Sequence, residues 1–378
     1  MLYRYSKDGR GRPVKTAAIY TKKEHKISLD KIDADCLRVV FHLKECGFNT
    51  YIVGGAVRDL LTGKTPKDFD IVTNATPSKI KKLFRNSRII GKRFRLVHVF
   101  FGEKIFEVST FRSTIDGSVG NSFGSIEEDV QRRDFTLNAL YYDPSKEQII
   151  DYVGGVQDIK NHILRPVIPL NRIFEEDPVR MLRAVKYSST CNCKMGFVLK
   201  HKIRKSAHLL LPVSPSRLTE EMLKILNSGH SSEIITACLK TDLYMYLQPN
   251  ASSMMYQSKK FEQSYMKHLA EMDEMVQKDK TVRLGQKLFY LIIDFVDTLT
   301  DWKKEISGKT ATGELYLKTW TQVRNFVLPI NPQRTELEYA IRLALKTLGV
   351  AIKIPKSAFK VRKTVKFLPA EEKIAEVR

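Results

Sequence analysis

Hydrophobic positions near the start of the chain predict one amphipathic helix. Apolar residues recur there at intervals of three or four, the spacing of a single helix face. They are Ile32, Cys36, Val39, Val40 and Leu43. Ser28 is the candidate N-cap residue, and Gly47 is placed to end the helix. Residues 1–27 are polar and basic without a period, so we expect a flexible basic arm there.

Short apolar runs come next, separated by glycine and proline signals. They predict strands over 50–53, 69–72, 88–90, 96–101 and 105–110, with helices over 56–61 and 76–84. Pro77 falls in the first turn of the second helix, where its missing N–H costs nothing. This order predicts an α/β head on a mixed sheet over residues 28–150.

Beyond residue 151 the hydrophobic period is helical throughout. Helices are predicted over 176–189, 198–209, 215–227, 231–247, 258–277, 281–298, 313–326 and 334–348. At 378 residues the chain is long enough for two or more domains. We therefore predict an α+β fold, in which the head is followed by an all-α part. That part divides into a neck over 151–230, a body over 231–350 and a basic tail over 351–378.

The composition is that of a globular protein, with 43% hydrophobic and 28% charged residues. No apolar run approaches the length of a membrane span, and the N-terminal segment lacks the apolar core of an export signal. We therefore expect a cytoplasmic protein. The five cysteines are irregularly spaced, which favours reduced thiols, and Cys191 with Cys193 lacks a second pair to complete a zinc site.

The net charge of +22 is the strongest signal in the composition. Many Lys and Arg side chains attract a phosphate backbone through the release of its counterions. An anionic membrane surface is the alternative partner, but the basic residues are scattered along the chain instead of lining one amphipathic helix. We expect a nucleic acid as partner and no membrane.

Two aspartates at alternate positions are the first candidates for chemistry. Asp68 and Asp70 flank Phe69, and residues i and i+2 of a strand point to one face. Two carboxylates on one face repel unless a cation lies between them, and hard oxygen ligands at this spacing suit Mg²⁺. Acids at the end of a strand are often plain surface residues, so the pair needs support from its surroundings.

A glycine pair between a predicted strand and a predicted helix gives that support. At Gly54 and Gly55 the backbone amides can approach a phosphate, and the N-terminus of the next helix favours negative charge. Arg58, one turn later, is placed to reach a triphosphate oxygen. A simple turn is the alternative. A phosphate cradle shortly before two carboxylates is typical of a nucleoside triphosphate site.

A third acid would complete a two-metal arrangement. Glu107 lies on the alternating strand predicted over 105–110 and is the weaker candidate ligand, because a surface acid on an edge strand gives the same pattern. Arg112 follows that strand and is a candidate for neutralising phosphate, or is one more surface base in a basic protein.

Three motifs together resemble one enzyme family. They are Gly54-Gly55-Ala56-Val57-Arg58-Asp59 with Asp68-Phe69-Asp70, then Arg132-Arg133-Asp134-Phe135-Thr136-Leu137-Asn138-Ala139-Leu140, then Glu176-Asp177-Pro178-Val179-Arg180-Met181-Leu182-Arg183-Ala184. Their order is similar to that of the class II nucleotidyltransferases, which include bacterial poly(A) polymerases and tRNA CCA-adding enzymes. The resemblance covers roughly residues 25–230. It implies a polymerase-β-like head, ATP as substrate and RNA 3′ ends as partners.

The resemblance also implies roles for the first two motifs. Asp68 and Asp70 would be the catalytic carboxylates that bind Mg²⁺, and Asp134 would belong to the active site. Arg133 and Asn138 would contact ribose and phosphate with it. An acid that accepts a hydrogen bond from a ribose hydroxyl would distinguish NTP from dNTP. Capping of a helix that begins near Phe135 is a second, compatible role for Asp134.

The third motif is expected to read the base. Asp177 and Arg180 are predicted at i and i+3 of one helix and so on one face. In the family, the matching acid and arginine bind the base edge in place of a nucleic acid template, and Arg183 is expected to bind nucleotide beside them. By spacing alone, Asp177 and Arg180 would be an ordinary surface ion pair.

The choice between the two activities depends on residues 89–99, which look like a signature of the poly(A) polymerase branch. We therefore favour addition of AMP to RNA 3′ ends, through attack of the 3′-hydroxyl on the α-phosphate of ATP with Mg²⁺. CCA addition to tRNA from CTP and ATP is the alternative. A non-catalytic RNA-binding protein on the same fold is a further alternative, which the presence of both aspartates disfavours.

Overall fold

The computed structural model describes residues 2–7, 9–91, 95–115, 122–279, 281–299 and 312–350. The predicted tail over 351–378 and the centre of the 89–99 signature lie outside these ranges. The chain divides into two compact units. Unit 1 comprises Met1–Asp177 with Cys191–Leu199, and unit 2 comprises Pro178–Thr190 with Lys200–Arg378.

Unit 1 is built on a nine-stranded sheet. Its strands are β1 (Leu2–Lys7), β2 (Pro13–Thr21), β3 (Thr50–Val53), β4 (Asp70–Thr73), β5 (Ser87–Ile90), β6 (Leu96–Phe101), β7 (Lys104–Thr110), β8 (Leu140–Asp143) and β9 (Gln148–Asp151). The spatial order is β1-β2-β9-β8-β3-β4-β7-β6-β5. The pair β4 and β7 is parallel, and the other seven pairs are antiparallel. The predicted mixed sheet is thus confirmed.

Helices cover both faces of this sheet. They are α1 (Lys22–His25), α2 (Ala34–Glu45), α3 (Gly55–Leu61), α4 (Pro77–Leu83), α5 (Ile126–Gln131), α6 (Gly155–Lys160) and α7 (Ile173–Glu176). Successive strand residues point to opposite faces. Accordingly Ile52 and Ile71 pack in one core cluster with the apolar sides of α2, α3 and α4. Tyr51, Val53 and Val72 pack in a second cluster with α5. A short parallel pair, β10 (Ile163–Leu164) with β11 (Lys194–Met195), completes the unit.

The expectation of a flexible arm over residues 1–27 is wrong. This segment forms β1 and β2, and β2 pairs with β9 from Ala18↔Asp151 to Thr21↔Gln148. The strand was missed because Lys, Thr and Ala dilute its apolar alternation, and only Ala17 and Tyr20 within it are buried. Pairing across a distance of more than a hundred residues leaves no local signal.

The expected start of the first helix is also wrong. Ser28 precedes a 3₁₀ turn over Leu29–Lys31, and α2 begins only at Ala34. Asp33 is its N-cap residue, with Oδ1 accepting a hydrogen bond from the Asp35 N–H at 2.8 Å. Asp and Ser are equally good N-caps, so propensity cannot choose between them. The C-terminal end is as predicted, since Gly47 has a φ of +84°.

Unit 2 is helical in the part that the structure describes. Its helices are α8 (Val179–Thr190), α9 (Phe197–Ser206), α10 (Pro215–Leu226), α11 (Ser231–Lys240), α12 (Tyr244–Leu247), α13 (Pro249–Gln257), α14 (Lys259–Lys278), α15 (Leu284–Thr298), α16 (Thr312–Phe326) and α17 (Arg334–Thr347). The first residues of α9 belong to unit 1. The predicted helix over 231–247 is interrupted where Asp242 adopts a φ of +57°. Among the described residues, no helix combines the length and apolar character needed to cross a membrane.

Candidate active site

The β3–α3 turn is the point where the first predicted site residues meet. Val53 ends β3 directly opposite Asp70, the first residue of β4. Gly54 then takes φ +72° and ψ −133°, a conformation that residues with a Cβ avoid. A Cβ placed on Gly54 would lie 3.7 Å from Asp70 Oδ2 and 4.0 Å from Arg133 Nη1. The structure therefore brings Gly54, Asp70 and Arg133 together, although they come from three separate segments.

Asp68 and Asp70 are both exposed, with buried Phe69 between them. The expectation that both lie within a strand is wrong, because β4 begins at Asp70. The ladder with β3 ends there since β3 turns away at Gly54, which leaves Asp68 without a β3 residue opposite it. Phe69 still points into the core and separates the two carboxylates from the apolar interior.

Glu107 lies beside Asp70 in the sheet, since the two are register partners in the parallel pair of β4 and β7. Its side chain is 54% exposed, and Oε1 is 3.3 Å from Nε2 of His98 on β6. Among the residues that the structure describes, no three His, Cys, Asp or Glu side chains form a group that could hold a metal ion. Glu107 is thus the register partner of Asp70 in the sheet, but in the described part of the chain its side chain does not form a three-residue metal-binding group.

Arg133 is held by a buried network. Its Nη2 donates to Asp129 Oδ2 at 3.0 Å, and its Nε donates to the Tyr141 hydroxyl at 2.9 Å. The Tyr141 hydroxyl donates in turn to Asp129 Oδ2 at 2.6 Å. The other oxygen of Asp129 accepts from the Arg112 backbone N–H at 3.2 Å. One carboxylate therefore fixes the guanidinium of Arg133 and the backbone of Arg112.

The charges in this network support one another. Burial alone would raise the pKa of Asp129, but the Arg133 charge and the Tyr141 hydrogen bond lower it. Burial would likewise lower the pKa of Arg133, yet Tyr141 and Asp129 together raise it. The pKa of Tyr141 is well above its ordinary value, chiefly because of burial. Burial also lowers the pKa of Arg112. Asp129 stays ionised, and Tyr141 stays neutral as a donor.

A second chain of hydrogen bonds runs from α3 to the middle motif. Arg58 donates through Nε and Nη2 to Asp59 Oδ1, at 3.0 and 2.8 Å, and through Nη1 to Asn138 Oδ1 at 2.8 Å. The Asn138 amide nitrogen then donates to Asp134 Oδ1 at 3.3 Å. Asp134 is only 6% exposed. Arg58, Asn138 and Asp134 are therefore brought together.

The capping role expected for Asp134 takes a different form. The helix expected near Phe135 is a single 3₁₀ turn over Thr136–Asn138, whose N-cap residue is Phe135. Asp134 Oδ1 accepts from the Phe135 N–H at 2.8 Å. The turn is followed at Leu140 by β8. It also packs directly on α6, since a Cβ on Gly155 would lie 2.2 Å from the Thr136 carbonyl oxygen.

The third motif is split between the two units. The expectation that Asp177 and Arg180 share one helix is wrong: Asp177 is extended, with φ −152° at the C-terminal end of α7, and α8 begins at Val179. Pro178 explains the break, because the residue before a proline is driven out of the helical region. Within unit 2, Arg180 is 5% exposed, and Arg183 Nη2 donates to the Tyr187 hydroxyl at 3.1 Å.

Asp129 and Tyr141 are the members of the site that sequence reasoning missed. A signal for Asp129 was present, because it precedes Arg133 by four residues, the spacing of a helical ion pair. Tyr141 gives no such signal, since a tyrosine in a strand is usually only part of the core.

Two protein families match parts of the chain. Residues 50–165 match the family described as the Poly A polymerase head domain. Residues 197–255 match the family described as "Probable RNA and SrmB- binding site of polymerase A". The resemblance inferred from the motifs is thereby confirmed.

Curated relatives match more than half of the chain. Poly(A) polymerase I of Salmonella typhi is 43% identical over 247 residues, which are 61% of this chain and 53% of that protein. A CCA-adding enzyme of Lactobacillus helveticus is 36% identical over 227 residues, 57% of this chain and 56% of that protein. The matched region thus spans about half the length of these relatives.

The fold also matches solved structures. The Bacillus stearothermophilus CCA-adding enzyme in complex with CTP aligns with a TM-score of 0.56, covering 83% of this chain and 82% of that one. The two chains are 24% identical, so the match shows only that they share a fold. Together with the head domain match, it confirms the predicted class, a nucleotidyltransferase head with a mixed sheet followed by helices.

Proposed function

We propose that this chain, which carries the head domain of the poly(A) polymerases over residues 50–165, adds AMP from ATP to RNA 3′ ends without a template. The observation that carries the proposal is the approach of Asp70 and Arg133 to Gly54. The turn has a backbone conformation that favours glycine, with a carboxylate on one side and a guanidinium on the other. This arrangement fits a nucleoside triphosphate, because the carboxylate can bind its metal ion and the guanidinium can bind its phosphates.

Gly54 and Arg133 would bind the phosphates. Without a Cβ at residue 54, a phosphate oxygen can approach the backbone of the turn. The ion pair with Asp129 and the hydrogen bond to Tyr141 hold Arg133 in one orientation before substrate arrives, which reduces the entropy lost on binding. Arg58 and Arg112 would add positive charge, and Gly55 leaves room beside Arg58, whose Nη2 would lie 3.4 Å from a Cβ there.

Asp68 and Asp70 would hold the divalent metal ion, with Glu107 as a weaker third candidate. Both carboxylates are exposed, Asp70 lies beside Gly54, and carboxylate oxygens are the hard donors that Mg²⁺ requires, so the chemistry of these residues fits the ion. When bound, Mg²⁺ would neutralise charge on the reacting phosphates.

In the reaction, the RNA 3′-oxygen forms a bond to the α-phosphorus of ATP, the bond to the β-phosphate oxygen breaks, and pyrophosphate leaves with its charge. The hydroxyl proton passes to solvent. Arg133 and Arg58 would stabilise the negative charge on the phosphates, and Asp134 with Asn138 would orient the ribose. No group on the chain needs to form a covalent bond with the nucleotide.

Base recognition would fall to Asp177, Arg180 and Arg183, as the family resemblance implies. All three residues fall within the neck proposed over residues 151–230. A body over 231–350 would bind RNA, in keeping with the net charge of +22. We propose that the protein acts on RNA in the cytoplasm.

Poly(A) addition is the favoured activity over CCA addition. Identity to the poly(A) polymerase is 43%, against 36% to the CCA-adding enzyme over a region of similar length. CCA addition to tRNA from CTP and ATP is the second candidate, because a CCA-adding enzyme is 36% identical over 227 residues.

The test offers labelled generic RNA and tRNA lacking its CCA end to the purified chain, with Mg²⁺ and with ATP and CTP separately and together. Long A tracts on generic RNA are expected. A stop after three nucleotides that requires CTP would replace poly(A) addition with CCA addition. Asp68→Asn and Asp70→Asn should each lower the extension rate about a hundredfold or more. Glu103→Gln removes an exposed acid from the β6–β7 connection and should leave the rate unchanged.

A further inference from the structure

The hairpin of β1 and β2 carries side chains that the proposed active site does not use. β1 lies at one edge of the sheet that the described residues form, and every residue of Leu2–Lys7 is exposed. Tyr3 is 39% exposed and Tyr5 is 61% exposed. Two large aromatic side chains on an exposed edge strand add apolar surface without adding to the core.

The register of the hairpin places these side chains on one face. Arg4 pairs with Ala17 and Tyr5 with Lys15, so Thr16 is an extra residue in β2. Tyr3 and Tyr5 are two apart on a regular strand and share a face, on which Lys7 follows. Lys15 lies on that face too, since its Nζ is 3.3 Å from the centre of the Tyr3 ring. We call Tyr3, Tyr5, Lys7 and Lys15 the tyrosine row.

The segment that forms the hairpin carries a net positive charge. Residues 2–21 contain five Lys and Arg residues and one acid, Asp8. Arg10 and Arg12, in the turn between the strands, are exposed. Charge protects an edge strand against pairing with another chain, and this gives the lysines a structural role as well. That role does not account for exposed tyrosines beside them, which would favour such pairing.

We propose that the tyrosine row binds single-stranded RNA, with bases stacked on the two tyrosine rings and phosphates neutralised by Lys7 and Lys15. Alternating aromatic and basic side chains are the means by which proteins bind single strands irrespective of sequence. Residues two apart on a strand are separated by about 7 Å, roughly two steps of a stacked strand. The inference rests on the proposed function for the choice of RNA as the polymer.

The test measures fluorescence anisotropy of labelled oligoadenylate bound to the whole chain, without ATP or Mg²⁺ so that no extension occurs. The double variant Tyr3→Ala/Tyr5→Ala should bind roughly tenfold more weakly for each stacked base that is lost. Lys7→Ala/Lys15→Ala should reduce the slope of log affinity against log salt by about 0.7 for each lysine.

Two control variants separate this contact from general effects on the hairpin. Val14 pairs with Ser6 on the opposite face and is 46% exposed, so Val14→Ala should bind as the wild type does. Lys7→Arg/Lys15→Arg keeps the charge and should keep the salt slope. Matching thermal melting curves show that each variant is folded.

Three outcomes would overturn the inference. One is unchanged oligoadenylate affinity in the tyrosine variant. Another is an equal loss of affinity for duplex RNA, whose bases cannot stack on the row. The third is a dimer that the tyrosine variant converts to monomer, which would assign the row to a second copy of the chain. If the wild type extends RNA while the tyrosine variant binds oligoadenylate normally, the inference about the tyrosine row fails but the proposed function is not contradicted. Failure of the wild type to bind or extend RNA would contradict the proposed function itself.

Discussion

At the scale of single residues, Gly54 combines a strained backbone with a close approach of two side chains. Its φ of +72° with ψ −133° disfavours any residue with a Cβ, and its missing Cβ leaves a gap bounded by Asp70 and Arg133. Gly63, at the other end of α3, also has a positive φ of +74°, but nothing lies within 4 Å of where its Cβ would be. Substitution of the two glycines therefore distinguishes the effect of backbone strain, which both share, from the effect of filling the space beside Asp70 and Arg133, which only Gly54 borders.

Gly54→Ala and Gly63→Ala should have similar effects on stability and different effects on activity. Each introduces strain of about 1 to 3 kcal/mol, which chemical denaturation will measure. Only Gly54→Ala should also weaken ATP binding, by placing a methyl group where we expect a phosphate oxygen. Equal extension rates in the two variants would contradict the role of the β3–α3 turn.

Asp129 is the residue on which the orientation of Arg133 depends. Asp129→Asn should destabilise the fold by about 3 to 5 kcal/mol, because it removes the charge of a buried carboxylate that pairs with Arg133 and accepts hydrogen bonds from Tyr141 and the Arg112 backbone. Tyr141→Phe removes hydrogen bonds but keeps the ion pair, and should cost about 1.5 to 3 kcal/mol. Urea denaturation will rank the two variants.

The KM for ATP should rise more in Asp129→Asn than in Tyr141→Phe if the network positions Arg133. A variant that is destabilised but keeps its KM would show that the network is structural only. Assays at low temperature, where both variants remain folded, keep these two effects apart.

At the scale of elements, a histidine–aspartate pair links α14 to α15. His268 Nδ1 lies 2.7 Å from Asp294 Oδ2, and the Ser264 hydroxyl donates to the other oxygen of Asp294. The hydrogen bond to Asp294 raises the pKa of His268, and burial opposes this. The nearby charges of Glu271 and Lys267 act in opposite directions. A folded-state pKa above the unfolded value means that the charged pair stabilises the folded state at low pH.

The melting temperature should therefore contain a contribution from His268 that is complete below the unfolded histidine pKa and disappears as pH rises through the raised one. His268→Gln removes this contribution. The difference in Tm between wild type and His268→Gln should shrink across that window. A difference that is constant with pH would show that protonation of His268 does not stabilise the helix pair.

Sequence patterns predicted the elements well where neighbouring residues determine them. The face of α2 that contains Cys36, Val39, Val40 and Leu43 is buried as the helical period requires. Strand β6 has the predicted bounds, because an apolar run between Arg95 and Gly102 leaves little choice. Prediction failed where a distant partner decides, as for β2, whose ladder is completed by β9.

At the scale of the whole molecule, the same contrast between local and long-range determinants applies to the candidate site. Motif order indicated Gly54, Asp70 and Arg133. The sheet register explains why they meet, since Val53 pairs with Asp70 on one side and with Tyr141, which binds Arg133, on the other. The network behind them could not be predicted, because Tyr141 joins Asp129 only after β8 has been placed in the sheet. A proline changed the geometry of the third motif, since Pro178 separates Asp177 from the helix that contains Arg180.

The long-range pairing of β2 has a consequence during translation. Thr21 pairs with Gln148 of β9, which the ribosome adds about 130 residues later. At typical elongation rates this separation corresponds to a delay of roughly 6 to 25 s before the pair can form. For that time the nascent hairpin presents an open strand edge to the crowded cell. The cations of residues 2–21 would then repel the hairpins of neighbouring nascent chains, so that translation itself favours a basic segment at this position.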